Sequence, residues 1–223
     1  MPLRTLVRAF LVAGVLAALL FGVAGRLDWI AAWCLVAMVL VFFAAIGAWM
    51  SRHDPGLLQE RARPGANVPR WDTLIIRAYT VMMVTLFVTA SLDAGRFGWS
   101  RVPVALQALA AAGTVMASVV ITWCVTANHF LSSRVRIQED RGHQVVWSGP
   151  YRYVRHPMYS GVIVLFPCIG VALGSWLALI PAAVIGVLFV IRTAREDRFL
   201  STDLPGYREY ATCVRFRLAP GIW

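Results

Sequence analysis

Long apolar runs broken by short, arginine-bearing polar segments set the plan of this chain. The apolar stretches occupy approximately residues 7–25, 29–50, 72–92, 103–127, 158–173 and 176–191. The first four approach or exceed the roughly 20 residues that a helix needs to cross a bilayer. The last two are shorter, and Leu173-Gly174-Ser175-Trp176 separates them. A Gly-Ser break between two apolar halves predicts a tight helical hairpin. The alternative is one long helix kinked at Pro167 or Pro181. The expected fold class is an all-α integral membrane protein: a polytopic helical bundle of five to six transmembrane helices, with a C-terminal helical hairpin over 158–191. Two units follow, helices 1–4 over residues 1–127 and a C-terminal region over 128–223.

Arginine placement selects between five and six crossings. With six, and a cytoplasmic N-terminus, only Arg26, Arg96 and Arg101 fall on the far side, while Arg77 lies inside the third run. That pattern obeys the positive-inside rule with both termini in the cytoplasm. Five crossings would place the basic stretch Arg192–Arg217 outside, against the rule. Arg4 and Arg8 ahead of the first run resemble a signal peptide's start, but no small-residue cleavage site follows, so a retained first helix is expected.

Composition agrees. Of 223 residues 59% are hydrophobic and only 14% charged, against about a quarter in soluble domains; the mean hydropathy is +0.68. A net charge of +10 and a pI near 10.5 would ordinarily raise nucleic acid as a partner. Here the charge sits between membrane segments, where topology accounts for it, and no nucleic-acid role is expected. Cys34, Cys124, Cys168 and Cys213 form no CxxC or CxxH pair, so neither a metal site nor a disulfide is expected. No GxGxxG or GxxxxGK[ST] motif offers a soluble nucleotide fold.

The polar chemistry concentrates in two places. Gly149–Gly161 packs two Arg, one His, three Tyr and two Pro against the start of an apolar segment. Arg192, Arg195, Glu196 and Phe199 fall at helical spacing, with Arg192 and Glu196 on one face at i,i+4. A hairpin over 158–191 returns Arg192 to the membrane face that carries His156, so the two stretches become neighbours. Structural readings compete: an Arg–Glu surface pair, a His-Pro helix start and interfacial tyrosines. Of the two long polar segments, Ser51–Arg70 reads as turns with a short surface helix. Asn128–Arg155 reads as irregular chain on the bundle's inner face.

Gly142-His143-Gln144-Val145-Val146, Ser148-Gly149-Pro150-Tyr151 and Arg155-His156-Pro157-Met158-Tyr159-Ser160-Gly161 resemble the isoprenylcysteine carboxyl methyltransferase family, which is related to phospholipid methyltransferases. Arg192, Glu196-Asp197, Pro205-Gly206-Tyr207 and Val214-Arg215 fit as well, so the resemblance covers roughly 128–223 and points to a bacterial member. It implies a methyltransferase of the bacterial inner membrane that uses S-adenosyl-L-methionine, with a cytoplasm-facing cofactor site and a lipophilic substrate that enters from the bilayer past the first four helices. By position it assigns His143, Gln144, Val145, Tyr151, Arg155, His156, Pro157, Tyr159, Gly161 and Glu196 to cofactor, and Arg192 and Glu196 to catalysis. Glu196 suits the cofactor ammonium, and His156, Tyr159 or Arg155 its carboxylate. Val145 and Val146 would wall the adenine. Arg192 would hold an acceptor carboxylate, so Arg192→Ala is expected to abolish turnover while the protein stays folded. An amine or thiol acceptor would instead need Glu196 or His156 as base. Prenylcysteine itself is not the expected acceptor of a bacterial chain. The alternatives are a sterol-reductase-like enzyme holding NADPH through Arg195, Arg198, Arg215 and Arg217, and a non-catalytic membrane scaffold.

Overall fold

The computed structural model describes residues 3–62 and 67–223, and its described residues contain helices and turns without strands. The helices are α1 (Leu3–Ala24), α2 (Ile30–His53), α3 (Pro55–Ala62), α4 (Arg70–Ala90), α5 (Val104–Ala127), α6 (Pro157–Ala172), α7 (Leu179–Asp203) and α8 (Tyr207–Cys213). A π-helical turn, Ser91–Phe97, continues α4. Four elements are long and apolar enough to cross a membrane: α1, α2, α4 with its π turn, and α5. Only 17–28% of the residues in their apolar windows are buried. Most of their apolar side chains therefore face outward, which suits lipid and not water.

The C-terminal segment is a hairpin and not one kinked helix. α6 stops at Ala172, Gly174 takes the left-handed conformation at φ +88°, and its amide donates to the Val171 carbonyl. That closure ends a helix at a residue with no Cβ to clash. Buried Asp93 from the π turn locks the hairpin's tip. Its carboxylate accepts from the Ser175 hydroxyl at 2.5 Å and from the Ser100 hydroxyl and amide at 2.6 and 2.8 Å. α7 then runs unbroken through the apolar stretch and twelve residues beyond Ile191, carrying Arg192, Glu196 and Asp197 out to the opposite end of the bundle.

The main core joins α1, α2, α4, α6 and α7 around Leu20, Leu86, Leu173, Ile185 and Phe189. The short helix expected after Ser51 forms as α3, but it is packed into the protein rather than laid on the surface. Asp54 caps α3 by accepting from the Leu57 amide at 2.8 Å. Leu57 is fully buried against Ile46, Met50 and Val125. The expected turn at Arg63-Pro64-Gly65 lies outside the described residues.

Gly161 corrects an expectation. It does not line the cavity described below. A Cβ built there would come within 2.9 Å of Ile121 Cγ1, so the residue serves close approach of α6 to α5. Overpacking typically costs about 1–3 kcal/mol. Gly161→Val should therefore lower the melting temperature in detergent while leaving ligand affinity of the folded fraction unchanged, as paired thermal unfolding and calorimetry would reveal.

Candidate active site

One cavity lies at the end of the bundle where α5 finishes, α6 begins and α7 emerges. About 760 Å³ there is not filled by protein atoms, part of it open solvent. Its walls come from the 128–156 segment, from the first turn of α6, from α7 and from α8. The hairpin brings these stretches together, as the sequence argument anticipated.

The first wall carries His143, Gln144, Val145 and Val146, then Tyr151, Arg155, His156, Pro157 and Tyr159. The facing wall carries Arg192 and Glu196. Every expected site residue except Gly161 thus borders one space, but several are already committed to partners. Tyr159 donates its hydroxyl to Glu196, and its ring lies parallel to His156 at 5.6 Å. His143 packs against Phe130 at 4.8 Å, and its Nδ1 accepts from the Gln138 amide at 3.3 Å.

Burial pushes the His143 imidazole down to about 4, helped by the charges of Arg136 and Arg141. The ring is therefore neutral at physiological pH. An unfolded His titrates near 6.5, so between about pH 4 and 6.5 the unfolded chain binds the extra proton and stability rises with pH. Titration of labelled histidine in the folded protein should show no His143 inflection near 6.5. An inflection there would mean the ring is solvated.

Two buried carboxylates organise the charged groups, and sequence reasoning assigned neither. Asp72, in the first turn of α4, is 0% exposed. Its Oδ1 accepts from Arg192 Nε at 2.9 Å and lies 2.9 Å from Nη2. Its Oδ2 accepts from the Val135 amide at 3.2 Å. Arg192 Nη2 donates to the Ser133 carbonyl at 3.3 Å, and its guanidinium sits 5.1 Å from the Tyr159 ring centre. The pair joins α4, α7 and the 133–135 segment beneath the cavity.

Asp197 is the second hub. It pairs with Arg155 and Arg217, each at 2.9 Å, accepts from the Tyr207 hydroxyl at 2.9 Å and meets His156 Nε2 at 3.4 Å. Burial opposes ionisation, but hydrogen bonds from His156 and Arg217 and the charges of His156 and Arg155 hold its carboxyl below the usual range. Burial and then the charge of Asp197 raise Tyr207, which keeps that hydroxyl a donor. Arg155 therefore braces the C-terminal tail: it also donates to the Ala211 and Val214 carbonyls at 3.2 and 3.3 Å. The backbone amides of Arg155 and His156 donate to the Phe216 and Arg217 carbonyls.

α3 clamps the outer edge. Arg136 binds Glu60 through two donors, each at 2.9 Å, and Asp140 at 3.0 Å. Ser132 donates to Glu60 at 2.8 Å, and Arg61 donates to the Leu131 carbonyl at 2.8 Å. The residues proposed for NADPH do not converge: none of Arg195, Arg198, Arg215 and Arg217 lines the cavity. Among the described residues, no group of three or more His, Cys, Asp or Glu side chains is placed to hold a metal ion.

One signal could have flagged Asp72. It stands at the head of an apolar run, and an ionisable group there is a functional candidate by default. Asp197 had no such signal, because its neighbour Glu196 sits at the spacing that pairs with Arg192.

The chain is 36% identical over 138 residues to the cobalt-zinc-cadmium resistance protein CzcN of Cupriavidus metallidurans, an alignment covering 58% of this chain and 57% of that protein. The chain thus spans little more than half the length of that curated relative. The isoprenylcysteine carboxyl methyltransferase (ICMT) family model matches residues 108–202, which run from within α5 through the cavity walls almost to the end of α7. Over that segment the chain is similar to the isoprenylcysteine carboxyl methyltransferase family.

Proposed function

We propose that this protein is a membrane-embedded methyltransferase that takes its methyl group from S-adenosyl-L-methionine and delivers it to a lipophilic acceptor. The observation that carries the reading is the cavity at the bundle end, which gathers the 143–146 and 151–159 stretches and the Arg192–Glu196 face of α7. The match of residues 108–202 to the isoprenylcysteine carboxyl methyltransferase family model supports methyl transfer. The lining also fits the donor molecule. Val145, Val146 and Leu200 offer an apolar wall for a base, Glu196 a carboxylate for an ammonium, and buried cationic and hydroxyl groups a grip for a carboxylate.

When bound, the donor supplies a methyl group already activated on a sulfonium, so the protein's work is alignment and exclusion of water. Asp72 fixes the Arg192 guanidinium beneath the cavity. From there Arg192 holds an acceptor carboxylate by charge-assisted hydrogen bonds and orients its oxygen. Such an acceptor needs no base. Glu196, held by the Tyr159 hydroxyl, is the group in place to take a proton from an amine or thiol. Both termini and the cavity face the cytoplasm of a bacterial inner membrane in this reading, supported by the arginine distribution. The acceptor reaches the site from the bilayer past the 1–127 helices, and residues 128–223 hold the donor.

Calorimetry on detergent-purified protein tests this. S-adenosylmethionine should bind and NADPH should not. Tight NADPH binding with no response to S-adenosylmethionine would overturn the proposal. Screening membrane lipid extracts for methylated products would then identify the acceptor class.

A further inference from the structure

Four arginines line the cavity: Arg134, Arg136, Arg155 and Arg192. Three are neutralised within the protein. Arg136 pairs with Glu60, Arg155 with Asp197 and Arg192 with Asp72, each at 2.9 Å. Arg134 makes no ion pair with any described residue. Its Nη1 is buried and has no hydrogen-bond partner.

A charged donor left unpaired in a buried wall destabilises the fold unless something completes it, and native structures rarely leave one without a reason. The backbone around Arg134 is firmly set. The Ser133 carbonyl accepts from Arg192 and the Val135 amide donates to Asp72, so both flanks are pinned to the buried ion pair. The base of the Arg134 side chain is thus fixed beside the group assigned to the reacting end. A second buried polar atom on the cavity wall, the Tyr151 hydroxyl, also lacks a hydrogen-bond partner of good geometry.

The amino-acid end of the methyl donor needs one anion for its ammonium and one cation for its carboxylate. Glu196 provides the anion. The sequence suggested Arg155, His156 or Tyr159 for the carboxylate. Arg155 donates to Asp197 through Nη2 at 3.2 Å, His156 meets the same carboxylate, and Tyr159 donates its hydroxyl hydrogen bond to Glu196.

We propose that Arg134 is the carboxylate anchor of the cavity: its unpartnered guanidinium edge, with the Tyr151 hydroxyl as a neutral second donor, binds the α-carboxylate of the methyl donor. This rests on the methyl-donor reading above and sharpens it to one residue.

The test compares two ligands by calorimetry on detergent-solubilised full-length protein. S-adenosylhomocysteine carries the amino-acid end; 5′-methylthioadenosine lacks it. Arg134→Gln should weaken S-adenosylhomocysteine by about tenfold or more, the scale of one charge-assisted hydrogen bond. It should leave 5′-methylthioadenosine affinity within about twofold. Arg134→Lys, which keeps the charge but not the planar fork, should recover part of the loss. The melting temperature of Arg134→Gln should be equal to or above wild type, because it removes a buried donor that has no partner. Unchanged S-adenosylhomocysteine affinity in Arg134→Gln would overturn the inference. Equal weakening of both ligands, or a fall in melting temperature, would mark Arg134 as structural and overturn it too. A wild-type protein that binds neither ligand would overturn the methyl-donor reading itself, whereas wild-type binding that Arg134→Gln leaves intact overturns the anchor alone.

Discussion

Arg192→Ala should abolish methyl transfer and also destabilise the protein by about 3–5 kcal/mol, the usual cost of breaking a buried ion pair from one side. The sequence alone suggested a folded, merely inactive variant. The Asp72 pair changes that expectation, because Asp72 is fully buried and Arg192 is 4% exposed. Removing the guanidinium leaves a carboxylate in a low-dielectric site, with the Val135 amide as its remaining donor. Asp72→Ala should be similarly damaging for the mirror-image reason. The double variant leaves no orphan charge, so it should be more stable than the sum of the two losses predicts. Thermal unfolding in detergent across the four proteins measures the coupling. If the single variants melt with wild type, the pair does not carry stability. If the double variant turns over substrate, Arg192 has no place in the mechanism.

Asp197→Asn should release the C-terminal tail. Asp197 holds Arg155, His156, Tyr207 and Arg217 at once, and the amides of Arg155 and His156 sit in register with residues 216–217. A neutral amide cannot balance two guanidinium groups, so a loss of about 3–5 kcal/mol is expected. The pH dependence gives a sharper check. The folded carboxyl is held below its ordinary value, so its stabilisation is fully present above the unfolded value near 3.9 and is lost as pH falls through the folded value. The stability difference between wild type and Asp197→Asn should be constant from about pH 5 to 7 and shrink below about pH 4. A difference that does not vary with pH would mean that the charge of Asp197 is not what holds the tail. Limited proteolysis after residue 203 offers an independent readout, because the variant should be cut faster there.

The membrane helices were legible in the sequence because their signal is one-dimensional. A run of about 20 apolar residues needs no tertiary context to be read as a span. The hairpin was legible for a related reason: Gly174-Ser175 interrupts two apolar runs, and Gly174 adopts the backbone conformation that a non-glycine residue resists. From that hairpin alone, His156 and Arg192 could be placed on one face of the membrane.

The helix α3 was only partly legible. The sequence predicts turns with a short surface helix here and α3 is a short helix, yet Leu57 is fully buried and Glu60 is 6% exposed. Nothing local announces that Arg136, 76 residues later, closes on Glu60. Gly161 was misread for a comparable reason. It stands inside a motif rich in cavity residues, but helical rotation turns it to Ile121 on α5.

The charges were the least legible feature. The sequence presents 21 arginines, and spacing can pair only those close along the chain, as it paired Arg192 with Glu196. The structure pairs Arg192 with Asp72 across 120 residues and Arg155 with Asp197 across 42.

The sequence by itself determined the spans, the hairpin and the two stretches that meet at one end of the bundle, because hydrophobic length and backbone conformation are local properties. Only the tertiary structure decided which arginine is paired, which braces the tail and which is left facing the cavity. An ion pair forms where folding brings charges within about 3–4 Å away from water, and that proximity is not encoded by sequence distance.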